Sequence, residues 1–137
     1  MHLVEPCAKF LEEAERSLAS PKATGFYCKG LQEFEFEKSY HCIWIQWVLS
    51  YLPDEDLMAF LSRCRENLEP DGLVFVKENV CEDDFVVDDE DFSVTRSEEI
   101  FEKMFELAGL QVIKKQQQPF FPEDLYKIVM YALRAAK

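Results

Sequence analysis

One stretch constrains the fold of this chain more than any other: Tyr40–Gln46, a nearly continuous apolar run that ends in a polar glutamine. Such a strand is typical of a parallel sheet with helices on both faces. Ligands of open α/β sheets bind at the carboxyl ends of the strands, where Gln46 and Trp47 stand. An amide and an indole at that end can contact a ligand. The pattern leaves open that Trp44 and Trp47 are ordinary core residues.

Three segments have the apolar spacing of helices that bury one face. The first begins near Pro6 and the second opens at Pro53. The third is predicted to start with a capping box formed by Thr95 and Glu98 and to stop at Gly109. The helices alternate with four further predicted strands, at 25–28, 73–77, 110–115 and 127–133.

The connections complete the predicted topology. A tight turn is expected at 70–72 and an irregular acidic loop at 79–93. The last two strands are joined closely enough for an antiparallel pair. Strands that alternate with helices favour one α/β domain over residues 1–137, mostly parallel with an antiparallel C-terminal strand and helices on both faces.

The net charge and the cysteine content disfavour some classes of binding partner and of metal site. The formal net charge of −12 disfavours nucleic acid and suits a cationic peptide, although acidity can also serve solubility alone. Five cysteines stand singly without metal-ligand spacing, which predicts reduced thiols and no metal site. The sequence suggests no signal peptide or membrane span, so we expect a cytoplasmic and nuclear protein that binds no membrane.

The chain lacks one expected feature of a cofactor-binding sheet. Such a sheet often carries a Gly-rich turn after its first strand. The four glycines of this chain are never spaced G-x-G. The usual cradle for a nucleotide-like cofactor is therefore absent from these residues.

Several motifs together resemble a known family, at 44–48 (Trp-Ile-Gln-Trp-Val), 56–57, 60–65, 77–79 (Lys-Glu-Asn), 88–96 and 132–134. They strongly resemble the protein N-terminal methyltransferases, AdoMet-dependent class I enzymes that methylate the α-amine of proteins beginning Xaa-Pro-Lys or Xaa-Pro-Arg. The resemblance covers nearly all of this chain but only the later part of the family's domain. It implies an incomplete class I, Rossmann-like sheet without the first strand and its Gly-rich turn.

The resemblance also implies how the cofactor, S-adenosyl-L-methionine (AdoMet), is bound. Leu31 and Gln32 look like the loop pair that holds its adenine end, and Gln46 looks like a contact after the family's fourth strand. The family's acidic ribose-binding residue aligns with His2. Glu5 is acidic and close in sequence but does not align.

Five residues resemble the family's peptide channel. Trp47 looks like its aromatic wall, Asn79 like the side chain that binds the peptide's first residues, and Tyr126 like the aromatic that closes it. Asp88 and Asp91 look like the acidic pair around the α-amine and the third-position lysine. Without the resemblance, those two carboxylates also fit a solvated acidic loop.

One catalytic position departs from the family pattern. The family has a histidine that assists deprotonation four residues after the channel tryptophan, and this chain has Tyr51 there. A phenol with a pKa of about 10 is a weak base near neutrality. General-base duty is therefore expected to fall on Asp91, with Asp88 beside it.

Three functions remain open. The chain is an N-terminal methyltransferase, a truncated non-catalytic family member that binds peptide or a partner protein, or a plain acidic interaction domain. In the family's sheet, the strand without a counterpart is central. Its absence leaves unpaired edges, so we expect a lone chain to be marginal, rearranged or self-associated through those edges.

Overall fold

A computed structural model describes residues 1–18, 20–122 and 124–136. These residues divide into two compact units, Met1–Phe36 and Glu37–Lys137, and each is described by itself. The expectation of one domain over residues 1–137 stays a prediction. The helices are α1 (Ala8–Leu18), α2 (Asp54–Glu66) and α3 (Glu98–Leu107), with a short 3-10 helix at Leu49–Tyr51. The strands are β1 (His2–Val4), β2 (Gly25–Tyr27), β3 (Tyr40–Gln46), β4 (Leu68–Val80), β5 (Phe85–Asp88), β6 (Ser93–Arg96), β7 (Leu110–Gln117) and β8 (Lys127–Ala135).

The first unit is a small βαβ arrangement. Strands β1 and β2 pair in parallel, and α1 lies between them in the chain. The ring of Phe34 is buried and lies 5.3 Å from that of Tyr27 in an edge-on contact. Strand β2 confirms the predicted strand at 25–28, whereas β1 was not predicted.

The second unit contains a four-stranded sheet in the order β3-β4-β8-β7. Strand β3 is parallel to β4, and β8 is antiparallel to both β4 and β7. Three of the four strands therefore run in one direction and β8 runs in the other. This sheet confirms the predicted incomplete class I topology with its antiparallel C-terminal strand.

One face of β3 is buried and the other is open. Ile43 and Ile45 point into the core together with Val74 and Val76 of the neighbouring strand. On the opposite face Trp44 is 58% exposed and stacks on Phe75 at 5.7 Å between ring centroids. This face of β3 is therefore accessible to solvent at Trp44.

The predicted tight turn at 70–72 is wrong. Those residues belong to β4, whose register against β3 shifts between the pairs Tyr40 with Leu68 and Cys42 with Leu73. Residues 69–72 thus lie opposite one residue of β3, and the ladder is irregular there. Gly72 suits this irregular segment because an added Cβ would lie 2.7 Å from the carbonyl oxygen of Tyr40.

The predicted irregular loop at 79–93 is also wrong. Strand β4 extends to Val80, and the antiparallel hairpin β5–β6 follows it. The hairpin contains β-branched residues, which favour strands. They occur in short runs between acidic residues, so the sequence pattern did not reveal the two strands.

The third helix begins later than its predicted capping box. Thr95 lies in β6, and Ser97 is the N-cap, whose hydroxyl accepts from the Ile100 N–H at 3.2 Å. The C-terminal stop is confirmed at Gly109, which adopts a φ of +74°.

The core of the second unit is aromatic under α3. Phe105 contacts Tyr131 edge-on at 5.2 Å, and Phe101 lies 6.4 Å from the same ring. The Tyr131 hydroxyl is buried and has no hydrogen-bond partner among the described residues. Burial and the nearby carboxylates of Glu98 and Glu102 raise the pKa of this phenol.

Candidate functional site

The chain turns a sharp corner directly after β3. Trp47 has a φ of +51°, in the left-handed region that non-glycine residues rarely adopt. Its N–H still donates to the Lys77 carbonyl at 3.0 Å, so pairing with β4 continues to this residue. Such a backbone conformation costs about 1–3 kcal/mol and persists only where its surroundings enforce it. Strained residues of this kind cluster at functional sites.

The corner leaves the Trp47 indole 44% exposed. The ammonium of Lys77 lies 4.8 Å from the ring centroid, within cation–π distance. The indole is therefore neither core nor freely solvated: it stands at the sheet end with a cation already against it.

Gln46 is oriented by a neighbour on its own strand. Its side-chain oxygen accepts from the Trp44 indole N–H at 3.1 Å. Residues two apart on a strand point to the same face, which brings these two side chains together. The predicted contact between Gln46 and a cofactor stays a prediction.

A 3-10 helix follows the corner and carries Tyr51, which is exposed. At its beginning, the N–H groups of Val48 and Leu49 both donate to Oε1 of Glu78, at 2.8 and 2.9 Å. Glu78 is almost fully buried. Burial raises the pKa of the Glu78 carboxyl; the two amides and the charge of Arg96 oppose that rise.

At the other end of the 3-10 helix, Arg96 supplies donors. Its guanidinium donates to the carbonyl oxygens of Leu52 at 2.8 Å and Leu49 at 3.3 Å. It also bonds Oδ1 of Asp54 through Nη2 at 2.6 Å and Nε at 2.9 Å. The Arg96 side chain is 2% exposed whereas that of Asp54 is 71% exposed, so the ion pair joins a buried cation to a surface carboxylate.

Sequence reasoning assigned no role to Glu78 or Arg96. A signal for Glu78 was present, because it falls in the buried phase of β4 with Val74, Val76 and Val80. A charge in that phase must find partners inside the protein. Arg96 gave no such signal, since its partners lie more than forty residues away in sequence.

Asn79 and Tyr126 lie at the same end of the sheet as Trp47. Asn79 follows Lys77 by two residues on β4 and pairs in register with Ile128 of β8. Because β8 is antiparallel, Tyr126 immediately precedes its first residue at that end. Tyr126 is partly exposed and lines a cavity of about 620 Å³. The lining also includes Cys81, Glu82, Phe121, Asp124, Leu125 and Lys127.

The two predicted acidic residues lie on the hairpin. Asp88 ends β5, and its Oδ1 accepts from the N–H groups of Glu90 at 2.9 Å and Asp91 at 3.4 Å. This bonding is an Asx-type turn that brings Asp88 and Asp91 together. Both are exposed, and in the part of the chain that the structure describes neither carboxylate has an ion-pair partner.

The hairpin is anchored at its base. Cys81 N–H donates to the Arg96 carbonyl at 3.3 Å, and Ser97 N–H donates to the Asp84 carbonyl at 2.9 Å. Since Arg96 also bonds the 3-10 helix, one side chain ties the acidic hairpin to the segment that carries Trp47 and Tyr51.

The remaining predicted residues lie in the first unit. Leu31 and Gln32 occupy a turn after β2, in which the Gly30 carbonyl accepts from Glu33 N–H at 3.2 Å and Phe34 N–H at 3.1 Å. Leu31 is half-buried and Gln32 is exposed. Their predicted contact with adenine stays a prediction.

His2, which aligns with the family's ribose-binding residue, contacts an aromatic ring. The His2 ring lies 5.4 Å from that of Tyr27, with 3.3 Å between Nδ1 and the phenolic oxygen. Glu5 directly follows β1, and its carboxylate accepts from the Cys7 N–H at 2.8 Å. The nearby acid thus lies at a strand end, although at another position than the alignment requires.

The sheet, with its parallel pair and antiparallel β8, has the strand arrangement of an incomplete class I methyltransferase fold. A family model described as AdoMet dependent proline di-methyltransferase matches residues 1–134. The chain belongs to that family. No helix in the described residues has the length and apolar character needed to cross a membrane.

Individual relatives agree with this family. The chain is 40% identical over 133 residues to "Alpha N-terminal protein methyltransferase 1" of Dictyostelium discoideum, covering 96% of this chain and 49% of the relative. It is 39% identical over 135 residues to "N-terminal Xaa-Pro-Lys N-methyltransferase 1-B" of Xenopus laevis, covering 96% and 60%. A solved SAM-dependent methyltransferase from Leishmania major superposes with a TM-score of 0.90 at 37% identity, covering 97% of this chain and 54% of that one. The chain thus spans about half the length of the relatives it matches.

Proposed function

We propose that this chain takes part in AdoMet-dependent methylation of the α-amine of proteins beginning Xaa-Pro-Lys or Xaa-Pro-Arg. The observation that carries the proposal is the strained corner at Trp47, in a chain of the proline di-methyltransferase family. An exposed indole at the carboxyl end of β3 offers a flat wall against which a proline ring can pack.

The other peptide-binding roles follow from side-chain chemistry. The Asn79 amide can donate to and accept from a peptide backbone, and Tyr126 adds a second aromatic wall at the same sheet end. The carboxylates of Asp88 and Asp91 suit the cationic α-amine and a third-position lysine. Asp91 accepts the proton that the amine must lose before methyl transfer.

Each unit offers groups that suit a nucleoside at its strand ends. In the first unit the turn with Leu31 and Gln32 follows β2. In the second unit Gln46 is the last residue of β3. None of the four glycines provides a G-x-G cradle for the methionine end. When bound, AdoMet supplies the methyl group as part of a sulfonium.

The decisive assay measures methyl transfer. The chain is incubated with AdoMet and an Xaa-Pro-Lys peptide, and the products are examined by mass spectrometry. The matched control is the same peptide with an acetylated N-terminus, which has no free amine to methylate. A mass gain of 14 Da or its multiples, about one methylene per transfer, supports the proposal when Asp91→Asn reduces it. No gain above a no-enzyme sample rejects catalysis by this chain.

A second candidate is a family member that binds peptide or a partner protein without catalysis. None of the glycines in these 137 residues is spaced G-x-G, which supports binding without catalysis by these residues. Calorimetric titration separates the two candidates. Peptide binding without measurable AdoMet binding supports the binder, whereas tight AdoMet binding by this chain contradicts it.

A plain acidic interaction domain is the third candidate, motivated by the net charge of −12. Such a domain binds cationic peptides through overall charge and gains nothing from a particular carboxylate. Asp91→Asn and Asp89→Asn each remove one charge from the same hairpin tip. If the Asp91 variant alone loses peptide affinity while both fold, the plain acidic domain is excluded.

Self-association is also proposed, through β3. Among the described residues β3 pairs with β4 alone, and Trp44 is exposed beside that unpaired edge. Sedimentation over a range of concentrations should detect a dimer that Trp44→Ser weakens and that Phe92→Ser, a change at another exposed aromatic, leaves intact. A monomer at every concentration contradicts this proposal.

Cytoplasmic and nuclear residence, without membrane or nucleic-acid binding, completes the proposal. The acidic balance of the chain supports the absence of nucleic-acid binding. Imaging of a fluorescently tagged chain tests the location, and exclusion from both compartments would contradict it.

A further inference from the structure

Two buried charges hold the segment that carries Trp47 and Tyr51. Glu78 accepts from the N–H groups of Val48 and Leu49 at the start of the 3-10 helix, and Arg96 donates to carbonyl groups at Leu49 and Leu52. We refer to Glu78 and Arg96 as the charge frame. Neither residue belongs to the predicted cofactor, peptide or base groups.

The two ends of the frame match the polarity of the backbone between them. The first N–H groups of a helical turn carry partial positive charge, and its last carbonyls carry partial negative charge. A carboxylate at the first end and a guanidinium at the second are therefore the favourable arrangement. Both side chains are almost completely buried, so water cannot replace either one easily.

The frame also explains how a tryptophan keeps a left-handed backbone. Trp47 is fixed on one side by its N–H bond to Lys77, and the next two amides are fixed by Glu78. With three consecutive N–H groups bonded, the backbone of this corner has little freedom to relax toward a common conformation. The exposed indole is therefore carried on a backbone that is held in place.

We propose that Glu78 and Arg96 are positioning residues that set the orientation of Trp47 and Tyr51 at the sheet end. The inference rests on the proposed function for the meaning of that orientation. Arg96 additionally fixes the base of the hairpin that carries Asp88 and Asp91.

The experiment compares two substitutions of Glu78 in a Trp44→Phe background, where Trp47 is the single tryptophan. Glu78→Gln keeps an oxygen that can accept both amides, since both bonds use Oε1. Glu78→Met keeps the size but removes the acceptor. Val74→Ala is the matched control, because it creates a defect on the same strand and the same buried face, away from the corner.

Three readouts are measured on each folded variant. NMR amide exchange reports Val48 and Leu49, fluorescence anisotropy and iodide quenching report the Trp47 ring, and titration reports Xaa-Pro-Lys peptide affinity. For Glu78→Met we expect amide exchange at Val48 and Leu49 to accelerate by about tenfold or more. The same variant should lower Trp47 anisotropy and weaken peptide binding by about tenfold.

Glu78→Gln should retain most of the amide protection, the Trp47 anisotropy and the peptide affinity. Val74→Ala should lower the melting temperature without changing the anisotropy or quenching of Trp47. Unchanged exchange and anisotropy in Glu78→Met overturn the inference, as does an equal change in Val74→Ala. Should Glu78→Met fail to fold, Arg96→Lys is measured instead, because it keeps the charge but loses the forked donors. An unchanged Trp47 signal in Arg96→Lys then overturns the inference.

The design keeps the two proposals apart. If the Trp44→Phe parent binds no peptide, the proposed function loses its support. Exchange and anisotropy still decide whether Glu78 and Arg96 hold the corner.

Discussion

Replacing Arg96 with methionine tests which part of its network stabilises the fold. The substitution retains an unbranched side chain but removes every donor. The carbonyl of Leu52, now bonded at 2.8 Å, then loses this donor, whereas the carbonyl of Leu49 loses a bond of 3.3 Å but still accepts from the Leu52 N–H at 3.2 Å. A buried carbonyl without a donor costs about 1–3 kcal/mol, so the unpaired Leu52 carbonyl gives a loss of about that size.

Asp54 contributes little to that sum. Its side chain is 71% exposed and can exchange the guanidinium for water, so the screened ion pair is discounted to about 1 kcal/mol or less. Asp54→Asn also keeps an oxygen acceptor for Arg96. The structure therefore predicts a marked asymmetry between the two partners of one ion pair.

Urea unfolding followed by far-ultraviolet circular dichroism measures both variants. The midpoint should fall much further for Arg96→Met than for Asp54→Asn, with the denaturant slope unchanged. A loss for Asp54→Asn as large as that for Arg96→Met would refute the reasoning, because the ion pair and not the bond to the buried Leu52 carbonyl would then hold the turn. A loss below about 1 kcal/mol for Arg96→Met would refute it as well.

Three further predictions concern single side chains. Tyr131→Phe removes a buried hydroxyl that has no partner among the described residues, and should raise the free energy of unfolding by about 1 kcal/mol; a clear loss in a urea titration would disagree. Phe92→Gly relieves a φ of +58° at a side chain that is 85% exposed, and should stabilise the hairpin by about 1 kcal/mol, whereas Phe92→Ala should not. The raised pKa of Glu78 means that its folded state binds a proton more tightly than its unfolded state. The Glu78 contribution to stability is therefore full below its ordinary pKa of 4.5 and falls as the pH rises through the folded value. Unfolding of the parent and of Glu78→Gln across this range should converge at low pH, and parallel curves would contradict the shift.

Local patterns predicted the elements whose signal lies within a few residues. The apolar run at Tyr40–Gln46 predicted β3, and Gly109 predicted the end of α3, because a left-handed cap favours glycine. Thr95 and Ser97 both carry a hydroxyl group that can cap a helix. Thr95 lies in β6, so Ser97 is the N-cap and the prediction at Thr95 was wrong.

Contacts between residues far apart in the chain could not be predicted from the sequence. Nothing near Arg96 indicates that its partners are Leu49, Leu52 and Asp54, because such contacts depend on how the hairpin packs. The exposure of Trp44 likewise follows from what covers β3 and not from the strand's own residues. Trp47 was singled out correctly as a strand-end residue, but its left-handed backbone had no local signature.

The ammonium of Lys77 lies against one face of the Trp47 ring. A cationic ligand that used this face would have to displace the ammonium now 4.8 Å from the ring centroid. It would exchange one cation–π contact of about 0.5–1 kcal/mol for another and gain almost nothing. A neutral ring on the same face would also have to displace Lys77, without regaining a cation–π contact. Lys77 therefore competes with any ligand for this face of the indole.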